Sequence, residues 1–194
     1  MALLSTRHRE MSLLIDLVGD VPAVLGIAEP PGPGVHDWVA RSMAPPSALA
    51  AIAVTVNDNL RVVPCGSLIA PPDHPRWAVL AEYLADLDTD VFVDASTTPP
   101  PPGLLQEATQ NLLVIRQCYI GLRRAAASSI RPSAVIVVHE AGRALTVDDV
   151  SAALNAPVVG QVTVDPQVAR VIDAGLLLRR MPRALSLGLR EVAA

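Results

Sequence analysis

The sequence predicts an α/β protein with a mainly parallel sheet and helices on both faces. Hydrophobic residues make up 51% of the 194 residues but aromatic residues only 3%, so the apolar excess consists of Ala, Val and Leu. Short apolar runs alternate along the chain with segments of helical periodicity. This alternation is typical of βαβ units with right-handed crossovers. No linker or repeat divides residues 1–194, which indicates a single domain.

Strands are predicted where Val, Ile and Leu cluster in short runs. These runs lie at residues 12–18, 60–64, 90–95, 111–116, 133–139 and 157–164. They lack a clean polar alternation, which is the pattern expected of strands that are covered on both faces.

Helices are predicted between these runs. The segment 75–87 places Trp77, Leu80, Leu84 and Leu87 on one face. The segment 117–129 is a second helical pattern. Each of the two falls between predicted strands, as βαβ connections require.

Capping signals locate two further helices. Thr146 followed by Asp149 is a capping-box pattern, which predicts a helix running to about Leu154. Asp165 before Pro166 is typical of an N-cap and a first helical residue, and Gly175 is typical of a helix end.

Composition excludes several classes of function. All 15 basic residues are arginine, so no mechanism that needs a lysine is available to these residues. The formal net charge of −4 gives no overall positive field to attract nucleic acid. Cys65 and Cys118 are the only cysteines and form no CxxC, so they are expected to be buried small side chains rather than zinc ligands. Ser67 and Ser96 lack a GxSxG context.

The chain is predicted to be cytoplasmic and to contain no membrane span. No uninterrupted apolar stretch reaches the roughly 18 residues that a spanning helix needs. Charge appears already at Arg7, which is too early for the apolar core of a signal peptide.

The order of these segments resembles that of a known family. The segments that carry the resemblance are "SLLIDLVGDVPAVLGI", "LRVVPCGS", "VFVDAST", "LLVIRQCYIGLRRAA" and "ALTVDDVSAALNAPVVGQVTVDPQVARVIDAGLLLRRMPRAL". Together they resemble the deviant-Walker ATPases of the ParA/MinD family, and most of all the actinobacterial members near the CpaE/TadZ pilus-localisation and septum-site proteins. The resemblance extends from about Leu13 onward and implies a P-loop-NTPase-like fold of the ParA/MinD type.

The segment that holds ATP in this family has no counterpart in the chain. The family begins with a strand, a glycine-rich KGGxGKT loop and a helix, and the loop's amides and lysines cradle the phosphates. The first ten residues, "MALLSTRHRE", contain no glycine. We therefore expect no cofactor and a degenerate protein without ATP hydrolysis. The alternative is an incomplete gene product of an active ATPase whose P-loop lies upstream, and this reading would bring ATP and magnesium.

Loss of that first strand raises a folding problem. In the family it lies beside the strand that corresponds to residues 90–95, so its removal leaves buried backbone groups unpaired, at about 1–3 kcal/mol each. Three interpretations remain open. The true start lies upstream, or the sheet closes internally, with Met1–Leu4 as a minimal replacement, or a partner chain donates a strand.

Two aspartates are the candidate metal ligands. The resemblance places Asp94 at the Walker B aspartate, which contacts magnesium through water, and Asp16 at the first aspartate of a DxD motif. Val18 replaces the second aspartate of that motif. Because the chain lacks the phosphate loop, we favour a structural role for Asp94 and describe both residues as vestigial metal candidates.

Two further residues are candidate cofactor contacts by resemblance alone. His139 falls where the family often has an asparagine that reads adenine, and Asp165 falls where a loop approaches the base. A polar strand end would equally explain His139, and the N-cap role already explains Asp165.

Arginines mark the candidate partner surfaces. Arg116, Arg123 and Arg124 lie on the unit that in relatives faces partners, or on a solvated helix face. The residues Arg179, Arg180, Arg183 and Arg190 form a basic tail patch, which would contact DNA phosphates or an acidic partner, or simply be the exposed side of a last helix.

From these observations we expect a binding or positioning factor, acting in chromosome partitioning, septum placement or pilus localisation. Its partner is expected to be another protein or a second copy of the chain.

Overall fold

A computed structural model describes residues 11–41, 43–189 and 192. Within them the chain divides into two compact units. The first unit contains the described residues up to Ala108 together with Ile172–Arg179, and the second contains Thr109–Val171 together with the described residues from Arg180 onward. The single domain expected from the sequence stays a prediction.

Seven strands are formed by the described residues. They are β1 (Ser12–Asp16), β2 (Val54–Asn57), β3 (Leu60–Val63), β4 (Asp90–Asp94), β5 (Leu112–Arg116), β6 (Ala134–His139) and β7 (Val158–Thr163). All six predicted runs contain a strand, and β2 is an addition.

Helices connect most of these strands. They are α1 (Val21–Leu25), α2 (Val35–Ala40), α3 (Leu49–Ile52), α4 (Arg76–Ala85), α5 (Pro102–Glu107), α6 (Tyr119–Ala127), α7 (Val147–Leu154), α8 (Pro166–Asp173) and α9 (Arg183–Gly188), and a 3-10 turn over Pro46–Ala48 precedes α3. None of the helices in the described ranges is long and apolar enough to cross a bilayer.

The first unit contains a four-stranded sheet in the order β2-β3-β1-β4. β1 is parallel to both β3 and β4, and β2 is antiparallel to β3. Ile15 and Val63 contribute to its core together with Trp38 of α2 and Trp77 and Leu80 of α4. The helical face predicted for segment 75–87 is confirmed, because Trp77, Leu80 and Leu84 are buried.

The second unit contains a parallel three-stranded sheet in the order β5-β6-β7. Val135 and Val137 pack on one face against Leu122 of α6 and Val150 of α7. The other face carries α9 so closely that a Cβ on Gly188 would lie 2.2 Å from the Gln161 carbonyl oxygen. The predicted α/β class with parallel-rich sheets and flanking helices is confirmed.

The described residues form two hydrogen-bonded sheets, one in each unit, where the sequence analysis expected one mainly parallel sheet. The interpretation that Met1–Leu4 replaces a central strand lies outside the described residues.

The sequence analysis did not predict β2, because its sequence shows only a short alternation of apolar and polar residues. Val54 and Val56 are half-buried and alternate with exposed Thr55 and Asn57, as in an edge strand with one solvated face. The turn into β3 is fixed by the Asn57 side chain, which accepts a hydrogen bond from the Asn59 amide at 2.9 Å.

Candidate functional site at the carboxyl edge of the first sheet

Asp16 and Asp94 lie side by side at the carboxyl ends of β1 and β4. The two strands are parallel, and Asp16 is paired with Asp94 in their register. The placement of both carboxylates at one edge, expected from the sequence, is confirmed. Ligand sites of doubly wound sheets gather at this edge, so it is the candidate site.

The Asp16 carboxylate is already occupied by backbone donors. Its side chain is buried, and Oδ1 accepts hydrogen bonds from the amides of Val18 at 3.0 Å and Gly19 at 2.7 Å. Oδ2 accepts from the amide of Val21 at 3.2 Å. These bonds fix the loop between β1 and α1. A metal ion would have to compete with three N–H donors for the two oxygens.

Asp94 is the more available carboxylate. It is half-buried, and its Oδ1 accepts a hydrogen bond from the Ser96 amide at 2.9 Å. Ser96 has a φ of 50°, which marks a tight turn directly after the strand. No group of three His, Cys, Asp or Glu side chains in the described ranges could hold a metal ion. A metal role for Asp16 and Asp94 stays a prediction.

A cluster around Asp37, which the sequence did not reveal, holds the loops of this edge together. The buried Asp37 carboxylate accepts from the amides of Gly34 and Ser67, both at 2.9 Å, and from the Ser67 hydroxyl at 3.0 Å. Although burial raises the pKa of Asp37, these donors and the Leu68 amide together hold it below its usual value. The carboxylate therefore joins the start of α2 to the loop after β3.

His36 makes a second link in the same cluster. Its Nδ1 accepts a hydrogen bond from the Ala70 amide at 3.0 Å, so the ring proton is on Nε2, which donates to the Leu17 carbonyl at 3.0 Å. Both ring nitrogens are thus engaged in a buried structural role. The only sequence signal was Gly34 followed three residues later by Asp37, a capping pattern at the start of α2.

Cys65 lies in the loop after β3 and is not a nucleophile. Burial, followed by the charges of Asp16 and Asp37, raises the pKa of its thiol to about 11. The side chain is 7% exposed, so the expectation of a buried small residue is confirmed. A thiol in this state stays protonated at neutral pH and is inert.

We expect Asp37→Asn to lower the free energy of unfolding at pH 7 by about 1–3 kcal/mol, because amide donors would face an uncharged acceptor that can satisfy fewer of them. A lowered folded-state pKa stabilises the protein above the unfolded pKa, and this stabilisation is lost as pH falls through the folded value. The variant should therefore lose part of the acid sensitivity of the wild type below the ordinary value of 3.8. Denaturant titrations between pH 7 and pH 3 would measure both effects. The exposed Asp58→Asn is the control, and equal behaviour of the two variants would contradict the prediction.

His139 and Asp165 lie in the second unit and have structural partners there. The Gln117 amide donates to the Leu145 carbonyl at 3.1 Å, which orients its Oε1 to accept from His139 Nδ1 at 2.6 Å. Asp165 Oδ1 accepts from the Gln167 amide at 2.8 Å, which confirms its N-cap position at α8. An adenine contact of either residue stays a prediction.

The described arginines of the predicted tail patch line two cavities. Arg180 and Arg183 line a cavity of the second unit, and Arg170 of α8, which sequence proximity could not suggest, lines it with them. Arg179 belongs to the first unit and lines a cavity there with Leu25 and Val56 among others. Arg190 lies outside the described residues.

The arginines near α6 differ in their environment. Arg116 donates to Glu140 at 2.9 Å, and Glu140 also binds Arg143. The hydrogen bond from Arg143 holds the pKa of Glu140 below its usual value, against the opposing effect of burial and with the support of the Arg116 charge. Arg123 and Arg124 are exposed, as a solvated helix face requires.

Similarity to known proteins was found among solved structures and not among family models or curated sequences. No family model matches the chain, and no curated protein matches it. A solved ParA family ATPase from Chlorobium tepidum TLS is similar, with a TM-score of 0.73 and 16% identity over 98% of this chain and 88% of that one. The chain therefore has the fold of the ParA and MinD ATPases.

Two further solved structures share this ParA/MinD fold. The septum site-determining protein MinD of Pyrococcus horikoshii OT3, complexed with Mg-ADP, gives a TM-score of 0.72 and 13% identity over 97% of this chain and 84% of that chain. A chain of the MinC:MinD cell division protein complex of Aquifex aeolicus gives 0.68 and 18% identity over 90% and 78%. Such low identities show the ParA/MinD fold alone, so membership near CpaE/TadZ stays a prediction.

Proposed function

We propose that this chain is a ParA/MinD-like binding or positioning factor that does not itself hydrolyse ATP. The observation that carries the proposal is a ParA/MinD fold in 194 residues that contain neither a lysine nor a glycine-rich phosphate loop. Both features supply the phosphate cradle in P-loop proteins. The described residues at the carboxyl edge of the first sheet therefore lack the lysine and the glycine-rich loop that hold a triphosphate in P-loop proteins.

The state of Asp16 supports the same proposal. Its oxygens bind the amides of Val18, Gly19 and Val21, so the carboxylate organises a loop. Val18 also stands where the resemblance implies an aspartate that orients water. The other carboxylate of this loop, Asp20, is exposed at the start of α1.

A protein partner is the preferred binding target. The second unit exposes Val114, Tyr119 and Ile120, with 52%, 69% and 64% of their surfaces accessible. Exposed apolar and tyrosine side chains of this kind are typical of protein interfaces. The similarity to a chain of the MinC:MinD complex supports a protein partner or a second copy as well. DNA is not preferred, because the formal net charge of −4 gives no overall positive field to attract it.

Chromosome partitioning, septum placement and pilus localisation remain the candidate processes. One of the similar structures is a septum site-determining protein, which supports a positioning role of this general kind. A cytoplasmic location stays part of the proposal.

We expect calorimetry with ATP and magnesium to show no binding in the micromolar range, which corresponds to about −8 kcal/mol. The physical reason is the absence of lysine and of a phosphate loop in these residues. A steady-state phosphate-release assay on the same sample should show no turnover.

Asp94→Ala is the control variant for this experiment, because its carboxylate is the more available one at the candidate site. A micromolar isotherm that disappears in Asp94→Ala would overturn the proposal and restore Asp94 as a metal-site residue. Genomic DNA upstream of Met1 that encodes an in-frame GGxGKT would favour the active-ATPase alternative.

A further inference from the structure

A cavity of about 260 Å³ in the second unit is lined by three arginines. Arg170 lies on α8, and Arg180 and Arg183 lie at the approach to α9. Gln167 and Val171 complete the α8 side, at the helical spacing that places them on the same face as Arg170. The volume is below the range typical of drug-sized ligands, so the cavity suits a small ligand.

The three guanidinium groups have no anionic partner among the described residues. The ion pairs recorded for those residues join Arg116 and Arg143 to Glu140, on another part of the second unit. Like charges that share a concavity repel each other, and a bound anion relieves that repulsion. Val171 and Met181 form apolar parts of the wall.

We propose that this arginine pocket binds the phosphate group of a small phosphorylated ligand. Guanidinium groups match phosphate geometry, because their parallel N–H donors bind two oxygens of the same phosphate. Gln167 adds an uncharged amide to the same wall. The proposal goes beyond the proposed function and does not depend on it, since every residue involved lies in the second unit.

A terminal phosphate fits this pocket better than the backbone of DNA. A phosphate monoester presents three oxygens and up to two negative charges at neutral pH, and three arginines can engage all of them. A phosphodiester presents two free oxygens and a single charge. A continuous backbone would moreover call for a groove, whereas these residues line one compact concavity.

The test is phosphorus NMR titration of the full chain at pH 8 and low salt, with inorganic phosphate and with AMP as the probes. We expect saturable binding that weakens at least about tenfold in Arg170→Gln and in Arg180→Gln/Arg183→Gln. The matched control is Arg123→Gln/Arg124→Gln, which removes the same charge from exposed residues of α6. This control should keep the wild-type affinity within about twofold, because it leaves the pocket intact.

The titrations distinguish a nucleotide-borne phosphate from the free phosphate ion, and they define the results that would overturn the proposal. Tighter binding of AMP than of phosphate supports a nucleotide-borne group, and equal binding supports the free ion. Equal weakening by the pocket and control variants would overturn the proposal, because it would reveal only general charge attraction. Duplex DNA that displaces AMP with the same arginine dependence and at lower concentration would also overturn it. Persistence of binding in Asp94→Ala distinguishes this pocket from the candidate site of the first unit.

Discussion

Replacement of Gly34 by alanine is expected to lower the free energy of unfolding by roughly 3 kcal/mol or more. A Cβ at this position would lie 2.2 Å from the Gly66 amide nitrogen and 2.3 Å from the Cys65 carbonyl carbon. Both are backbone atoms, which cannot rotate away as a side chain can. Relief would require the loop after β3 to move, and that movement would break the bonds that hold it to α2.

Those bonds explain why the effect should be large. The Val35 amide donates to the Pro64 carbonyl at 2.8 Å, and the His36 amide donates to the Cys65 carbonyl at 3.1 Å. The Asp37 carboxylate then joins the same two segments. Displacement of the loop by one methyl group therefore leaves several buried polar groups without partners.

The matched control is Gly121→Ala in α6. The nearest neighbour of its Cβ would be the Cys118 Sγ at 3.1 Å, a side-chain atom, and its other contacts would be ordinary ones at 3.9 Å. Alanine favours a helix over glycine by about 1 kcal/mol. Stability should change by no more than about 1 kcal/mol. Denaturant unfolding followed by circular dichroism would compare the two, and a Gly34→Ala protein as stable as Gly121→Ala would show that the loops are not in this close contact.

The sequence predicted the architecture where one physical signal dominated. Buried parallel strands need apolar runs, and those at Leu14 and Val135 could be identified from composition and order alone. The helix at Val147 was predicted because Thr146 and Asp149 satisfy each other's capping bonds in both directions. In these cases the local sequence and the tertiary structure favour the same conformation.

The arrangement of the candidate site could not be predicted in the same way. Asp37 accepts a hydrogen bond from Ser67 across thirty positions of sequence. In the same way, Arg170 lines the pocket of the second unit together with the distant Arg180. No periodicity encodes such pairings, since they depend on where loops of different strands end. The resemblance to ParA and MinD proteins identified Asp16 and Asp94 but not their hydrogen-bond partners, and those partners decide what each carboxylate can do.

Asp16→Ala is expected to destabilise the protein by about 2–4 kcal/mol, whereas Asp94→Ala should cost about 1 kcal/mol or less. Asp16 is 1% exposed and satisfies three backbone donors, while Asp94 is half-buried and satisfies the Ser96 amide, which water can reach after the substitution. Denaturant midpoints of the two variants and the wild type would measure the difference. A larger loss in Asp94→Ala would contradict the structural role assigned to Asp16.

The same samples separate a structural carboxylate from a metal ligand. A ligand that binds only the folded state at a hundredfold excess over its dissociation constant adds about 2.7 kcal/mol to stability. If Asp16 only organises the loop to α1, millimolar magnesium should leave the stability of the wild type unchanged, and the difference between Asp16→Ala and Asp94→Ala should be the same with and without it. A gain in stability that both variants abolish would instead mean that the two neighbouring carboxylates share a magnesium site, with the three amides around Asp16 orienting a ligand rather than replacing one.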